Sequence, residues 1–260
     1  MEPLAFAEAR AVRPEIQLLE FIVRGGMPEL HARPDLDPVS FQHSYLATYL
    51  ERDVRTLANV GSLRDFERFL RACALRSANL LNKADLARDV GISPSTANQW
   101  LSILEASGQL TLLEPWFSNR TKTMVKSPKL YLNDTGLLCS LLNIRDAAAL
   151  MQAPYVGAVW ETFVLAQLRH RERVADRARS LFFWRDRARE VDFLVDDAGF
   201  VELFEAKWTE LPDAADWANL RIARAALDRQ KVRRSDVICR AAHGFPLEDG
   251  CRALPVEELG

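Results

Sequence analysis

The stretch REVDFLVDDAGFVELFEAKW, residues 189–208, reads as two strands joined by a turn, yet Glu190, Asp192, Glu205 and Lys207 interrupt its apolar pattern. A four-residue turn at Asp196-Asp197-Ala198-Gly199 would set Val195 opposite Phe200, Asp192 opposite Leu203 and Glu190 opposite Glu205. Side chains alternate along a strand, so Glu190, Asp192, Leu203, Glu205 and Lys207 fall on one face. The other face carries Val191, Phe193, Val195, Phe204 and Ala206, an ordinary core surface. Asp192 then neighbours Glu205 diagonally, within reach of one shared ion. Three acids on one face repel, so a divalent metal or nearby arginines must compensate them.

Such a group is suited to phosphodiester hydrolysis. Carboxylate oxygens of Asp192 and Glu205 suit Mg2+ or Mn2+, which retain open positions for phosphate. The metal would lower the pKa of a bound water and polarise a phosphoryl oxygen. Lys207, two residues from Glu205 and on the same face, would orient that water or hold developing charge. Glu161 adds a fourth acid from a helix predicted over residues 156 to about 170, whose apolar stripe is Val156, Val159, Trp160, Phe163 and Val164. Glu161 lies beside Val164, Leu165 and Leu168, so it is expected to be half-buried and to need a partner. Gly157, one turn earlier, would remove bulk and let this helix approach the sheet. The competing reading of the four residues is a set of salt bridges at a sheet edge.

These residues must be held by a domain. After the predicted helix come strands at SLFFW, EVDFLV and FVELFEAKW, then a helix over 214–227 and a strand at DVICR, in the order αβββαβ. Upstream, NKADLARDVGISPSTANQWLSILEASGQLTLL places Asn82 and Ser93 as helix caps, Pro94 at a first helical position and Gly91 in a tight turn between helices. LTLLEPWF and the basic SNRTKTMVKSPKLYL then read as the hairpin of a wing. In this winged helix Asn98 and Gln99 could read bases, while Arg120, Lys122, Lys126 and Lys129 could neutralise phosphates. A packing or protein-contact module has the same sequence pattern. Arg185, Arg187 and Arg189 read either as a phosphate track or as solvated loop arginines.

The bulk composition excludes several classes. With 260 residues, 48% hydrophobic content and 27% charge, the chain can build proper cores and is neither disordered nor collagen-like. A net charge of −2 gives no global pull toward nucleic acid, but residues 120–190 carry 13 Lys/Arg against 7 acids. Cys73, Cys139, Cys239 and Cys251 have no zinc or disulfide spacing, and the four histidines are scattered. No apolar run approaches the ~18 residues of a bilayer span, so no membrane contact and a cytoplasmic location are expected.

Glu161 on a helix, Asp192 on a strand and Glu205-Ala206-Lys207 thirteen residues later resemble the PD-(D/E)XK nuclease pattern. Over almost the whole chain, GGMPEL, YLATYLERDV, KSPKLYLNDTGLL, VGAVWETFV, REVDFLV and FEAKW resemble the C-terminal part of prokaryotic AAA-type ATP-binding proteins, the segment called domain of unknown function 4143. The resemblance implies an α+β or mixed α/β protein: a remnant of an ATPase tail at 1–40, a helical and winged helix-turn-helix domain at 41–150, and a restriction-endonuclease-like domain at 151–260. It also implies DNA as partner, and a truncated or split family member. There is no GxxxxGK[ST] phosphate loop, so no ATP site is expected, and an ATPase would have to come from elsewhere. The alternative to a nuclease-like enzyme is a non-catalytic DNA- or protein-binding module that works with a separate ATPase.

Overall fold

The computed structural model describes residues 3–54, 62–117, 127–175, 179–187, 189–227 and 231–259. Arg120, Lys122 and Lys126 lie outside these residues. The protein is mixed α+β and forms two compact units. The first comprises Met1–Leu112 and Leu130–Thr162, the second Leu113–Lys129 and Phe163–Gly260.

The first unit is built from short helices: α1 (Phe6–Val12), α2 (Leu18–Arg24), α3 (Pro28–Ala32), α4 (Pro38–Tyr49), α5 (Leu63–Ala74), α6 (Lys83–Val90), α7 (Pro94–Ala106), α8 (Thr135–Leu141) and α9 (Ala147–Gln152). Polar side chains start most of them. Asp37, Ser62, Asn82, Ser93, Asp134 and Asp146 each accept a hydrogen bond from a backbone N–H of the following first turn. Gly91, at φ 81°, supplies the left-handed turn between α6 and α7, a conformation that costs glycine little. Helix α5 buries Phe66, Phe69, Leu70 and Cys73, and Trp100 of α7 packs at 5.1 Å from Phe66 and 5.4 Å from Phe69 between ring centroids. Strands β1 (Asn79–Leu80), β2 (Leu110–Leu113) and β3 (Lys129–Leu132) form a sheet in the order β1-β3-β2.

Residues 1–40 are more than a remnant in packing terms: Phe6, Phe21, Leu30 and His31 are buried. Their anchor is Asp134, itself 3% exposed. Its carboxylate accepts from Gly26 N at 2.7 Å, Leu137 N at 2.8 Å and Gln42 Nε2 at 3.4 Å. A Cβ on Gly25 would meet Asp134 Oδ1 at 2.5 Å, and one on Gly136 would meet Arg24 O at 2.4 Å, so the approach of α2 to α8 requires both glycines. Arg24 donates from its buried guanidinium to the carbonyls of Leu30, Pro34 and Leu36 at 3.0–3.1 Å. His31 Nε2 donates to Gly25 O at 2.7 Å, and burial holds its pKa below the ordinary value. The GGMPEL and NDTG stretches, 108 residues apart at Gly26 and Asp134, therefore make one joint.

The second unit is a six-stranded sheet in the order β4-β5-β6-β7-β9-β8: β4 (Ser180–Asp186), β5 (Arg189–Asp197), β6 (Phe200–Ala206), β7 (Val232–Cys239), β8 (Phe245–Pro246) and β9 (Arg252–Pro255). Strands β4, β5 and β6 are antiparallel; β6–β7 and β7–β9 pair in parallel. Helix α10 (Val156–Val174) precedes the sheet and α11 (Ala218–Ala226) joins β6 to β7, which gives the expected element order, extended by β8 and β9. Helix α11 contributes Leu220 and Ala223 to a core with Trp184, Leu194, Leu203 and Val237. From the part of α10 in this unit, Arg171 donates to Glu202 at 2.7 Å and lies over the Phe204 ring.

The β5–β6 register differs from the expectation by two residues. Leu194 pairs with Leu203 and Asp197 with Phe200, so the turn is only Ala198-Gly199, both at positive φ. Two such residues match the strand twist, which favours this tight turn over the four-residue one. Asp196 and Asp197 are strand residues instead: Asp196 accepts from Gly199 N at 3.1 Å and Trp116 Nε1 at 3.0 Å, and Asp197 pairs with Arg233 at 2.9 Å. A shift of two preserves the face of every side chain.

The Asp134 joint is testable. Asp134→Ala is expected to destabilise the protein by about 2–4 kcal/mol, against about 1 kcal/mol for the exposed cap variant Asp146→Ala, because only the former strands buried N–H groups. Urea unfolding midpoints measure both, and equal costs would refute the joint.

Candidate functional site

Two local devices aim the acids. Asp192 and Glu205 each lie one residue beyond the last β5–β6 pair, Phe193 with Phe204. On its other side β5 carries a bulge: Phe182 pairs with Leu194 but Trp184 with Val191, so Phe183 faces both Asp192 and Phe193. The bulge breaks the expected alternation, and Val191 joins Leu194 and Leu203 in the core rather than Phe193.

Within the second unit Asp192, Glu205 and Lys207 come together. Asp192, 8% exposed, accepts from Ala206 N at 3.0 Å through Oδ2. Glu205, 3% exposed, binds Lys207 Nζ through Oε1 at 2.9 Å. Burial pushes the Lys207 pKa down, but the charges of Glu205 and Asp192 outweigh it and hold the value above 10.5. Lys207 is therefore an ammonium at neutral pH, fit to stabilise negative charge rather than to take a proton.

Lys129 completes the cluster. It was expected among the wing cations open to phosphate; it is 2% exposed, with Nζ at 2.6 Å from Glu190 Oε1 and 3.2 Å from Asp192 Oδ1. The Phe183 ring lies 5.8 Å away. Arg185 binds the other oxygen of Glu190 at 3.0 Å. A sequence signal for this placement exists: Lys129 opens KLYL, a strand buried at every position, where a lone cation needs an acid partner.

Glu161 belongs to the first unit, where it accepts from Tyr131 Oη at 2.6 Å. Gly157 gives no close approach, since a Cβ there would meet open space. Asn98 and Gln99 are exposed on α7, and Arg187 is exposed in the turn between β4 and β5, at φ 53°. Among the described residues, no three His, Cys, Asp or Glu side chains form a group that could hold a metal ion. No described helix is long and apolar enough to cross a membrane.

The chain is thus a mixed α+β protein whose second unit gathers acids and lysines at the ends of a hairpin. It belongs to the family described as domain of unknown function (DUF8612), whose model matches residues 15–148, just over half the chain. A second model, domain of unknown function (DUF4143), matches residues 156–259. The latter domain commonly follows AAA-type ATPase domains. The resemblance read along the whole sequence therefore divides between two families, with only the second unit's main segment falling to the latter. The uncharacterized proteins Rv2008c of Mycobacterium tuberculosis and Mb2031c of Mycobacterium bovis are each 34% identical over 239 residues, 91% of this chain and 52% of their own length. The chain spans about half the length of these curated relatives. No solved structure matches it.

The Lys207 ammonium gives a pH test. Because its folded value lies above 10.5, its stabilisation is complete below that pH and is lost as pH rises through the folded value. Lys207→Met should be less stable than wild type at pH 8, and the two stabilities should converge above pH 10.5. Chemical unfolding across pH 8–11 (about the range needed) measures the gap; a constant gap would show that Lys207 contributes through packing alone.

Proposed function

We propose that the protein binds DNA through its first unit and carries a metal-dependent phosphodiesterase site of the PD-(D/E)XK type in its second. The observation that carries this reading is the convergence of Asp192, Glu205 and Lys207 on neighbouring strands within an αβββαβ order. The order α5, β1, α6, α7, β2, β3 supports a winged helix, with α7 as the reading helix and Ser95, Asn98, Gln99 and Ser102 on its open side. Glu161 matches the helix-borne acid of the nuclease pattern by its place in the sequence alone.

The donor set fits a hard divalent cation. Mg2+ is commonly held by one or two carboxylates plus waters and substrate phosphate, so Asp192 and Glu205 suffice without a third acid. The seating of the Lys129 ammonium against Asp192 supports a preference of this pocket for positive charge. A bound divalent ion would supply a water of lowered pKa and polarise the phosphoryl oxygen. The chain's own contribution is to fix Asp192 on the Ala206 N–H and to hold the Lys207 ammonium where charge develops.

A second reading has its own support. The carboxylates are already neutralised by lysines, which favours a silent DNA- or protein-binding platform.

Plasmid or branched DNA incubated with Mg2+ or Mn2+ distinguishes them. Cleavage should fall at least ~100-fold in Asp192→Ala and Lys207→Ala. DNA bound equally by wild type and Asp192→Ala but never cut would establish the platform.

A further inference from the structure

We propose that Lys129 is a built-in cation of the acidic cluster, and that its ammonium and a divalent ion compete for Asp192. The inference deepens the reading of the metal site and rests on it. Glu190, Asp192 and Glu205 face Lys129, Lys207 and Arg185, so three negative charges are balanced by three positive ones. Lys129 is the most enclosed of the cations, at 3% side-chain exposure against 32% for Lys207 and 29% for Arg185. It also takes the Asp192 oxygen that the Ala206 N–H leaves open. A divalent ion bound through that oxygen would stand within a few ångströms of the ammonium, in surroundings with little water to screen them.

The seat of Lys129 is tied to the strand beside it. Residues 113–129 belong to the second unit, and their first end lies along the outer edge of β4. There Trp116 N donates to Phe183 O at 2.7 Å, Phe183 N donates to Glu114 O at 3.1 Å, and Trp116 Nε1 reaches Asp196. Lys129 reaches Asp192, which lies opposite Phe183 in the bulge. Metal affinity depends on whether Lys129 stays seated there. The site folds without metal because it brings its own positive charge, and it accepts metal when that charge withdraws.

Mn2+ titrated into the full chain by calorimetry tests this. Lys129→Met should bind Mn2+ at least about tenfold more tightly than wild type, Lys129→Arg should not gain, and Asp192→Asn should abolish the gain. Binding no tighter in Lys129→Met, or a gain that survives Asp192→Asn, overturns the proposal. Should Lys129→Met not fold, Lys129→Gln decides: it removes the charge and keeps a polar side chain, so tighter Mn2+ binding supports competition and equal or weaker binding overturns it. DNA cleavage assayed in parallel keeps the two ideas apart. Tighter Mn2+ binding with no variant cutting DNA leaves this inference standing and refutes the nuclease reading; cleavage by wild type with no gain in Lys129→Met does the reverse.

Discussion

The second unit depends on neutralising carboxylates that its hairpin forces together. Asp192 and Glu205 are each less than one-tenth exposed, and a buried carboxylate without a partner is costly. Lys129 and Lys207 supply the charge, and the local backbone is arranged to let them do so. The two-residue turn sets the pairing of β5 with β6, and the bulge places Asp192 and Phe193 together opposite Phe183. Removal of either lysine would leave a buried acid with too few donors, which is why stability and chemistry cannot be separated at this hairpin.

The first unit buries a carboxylate by a different route. Asp134 has no cation on it; its oxygens accept from two backbone N–H groups and an amide, and burial raises its pKa despite them. Donors fixed in the backbone cannot be exchanged without unfolding α2 from α8, so Asp134 is a joint. The donors of Asp192 include a side-chain ammonium on a flexible stem, which can leave and return. The contrast separates the two buried acids: part of the compensation of Asp192 is an exchangeable side-chain charge, whereas that of Asp134 comes from fixed backbone donors and an amide.

Much of this was legible from residue types and spacing. Helix starts at Asn82, Ser93 and Pro94 followed from capping chemistry, and the strand order followed from apolar alternation. From Phe193 to Asp197 an error of two residues in register leaves each side chain on its expected face, because the period of a strand is two. What local patterns could not give was the bulge, which depends on how β4 and β5 pair over their whole length. Nor could they place Lys129, whose partners lie 61 and 63 residues away in the sequence and whose basic surroundings suggested a solvated wing. The need for glycine at Gly25 and Gly136 was not legible either, since their close approaches exist only once α2 and α8 meet.

Charge balance also bears on what the cluster can bind. Three bare acids at a hairpin end would repel a phosphodiester backbone and make approach of DNA costly. Paired with Lys129, Lys207 and Arg185, the same acids sum to no net charge, and Lys207 is the most exposed of the three cations, at 32% of its side chain. Under the proposed reaction, an approaching polyanion would therefore meet compensated rather than bare carboxylates, so one electrostatic solution would serve both the fold and that reaction.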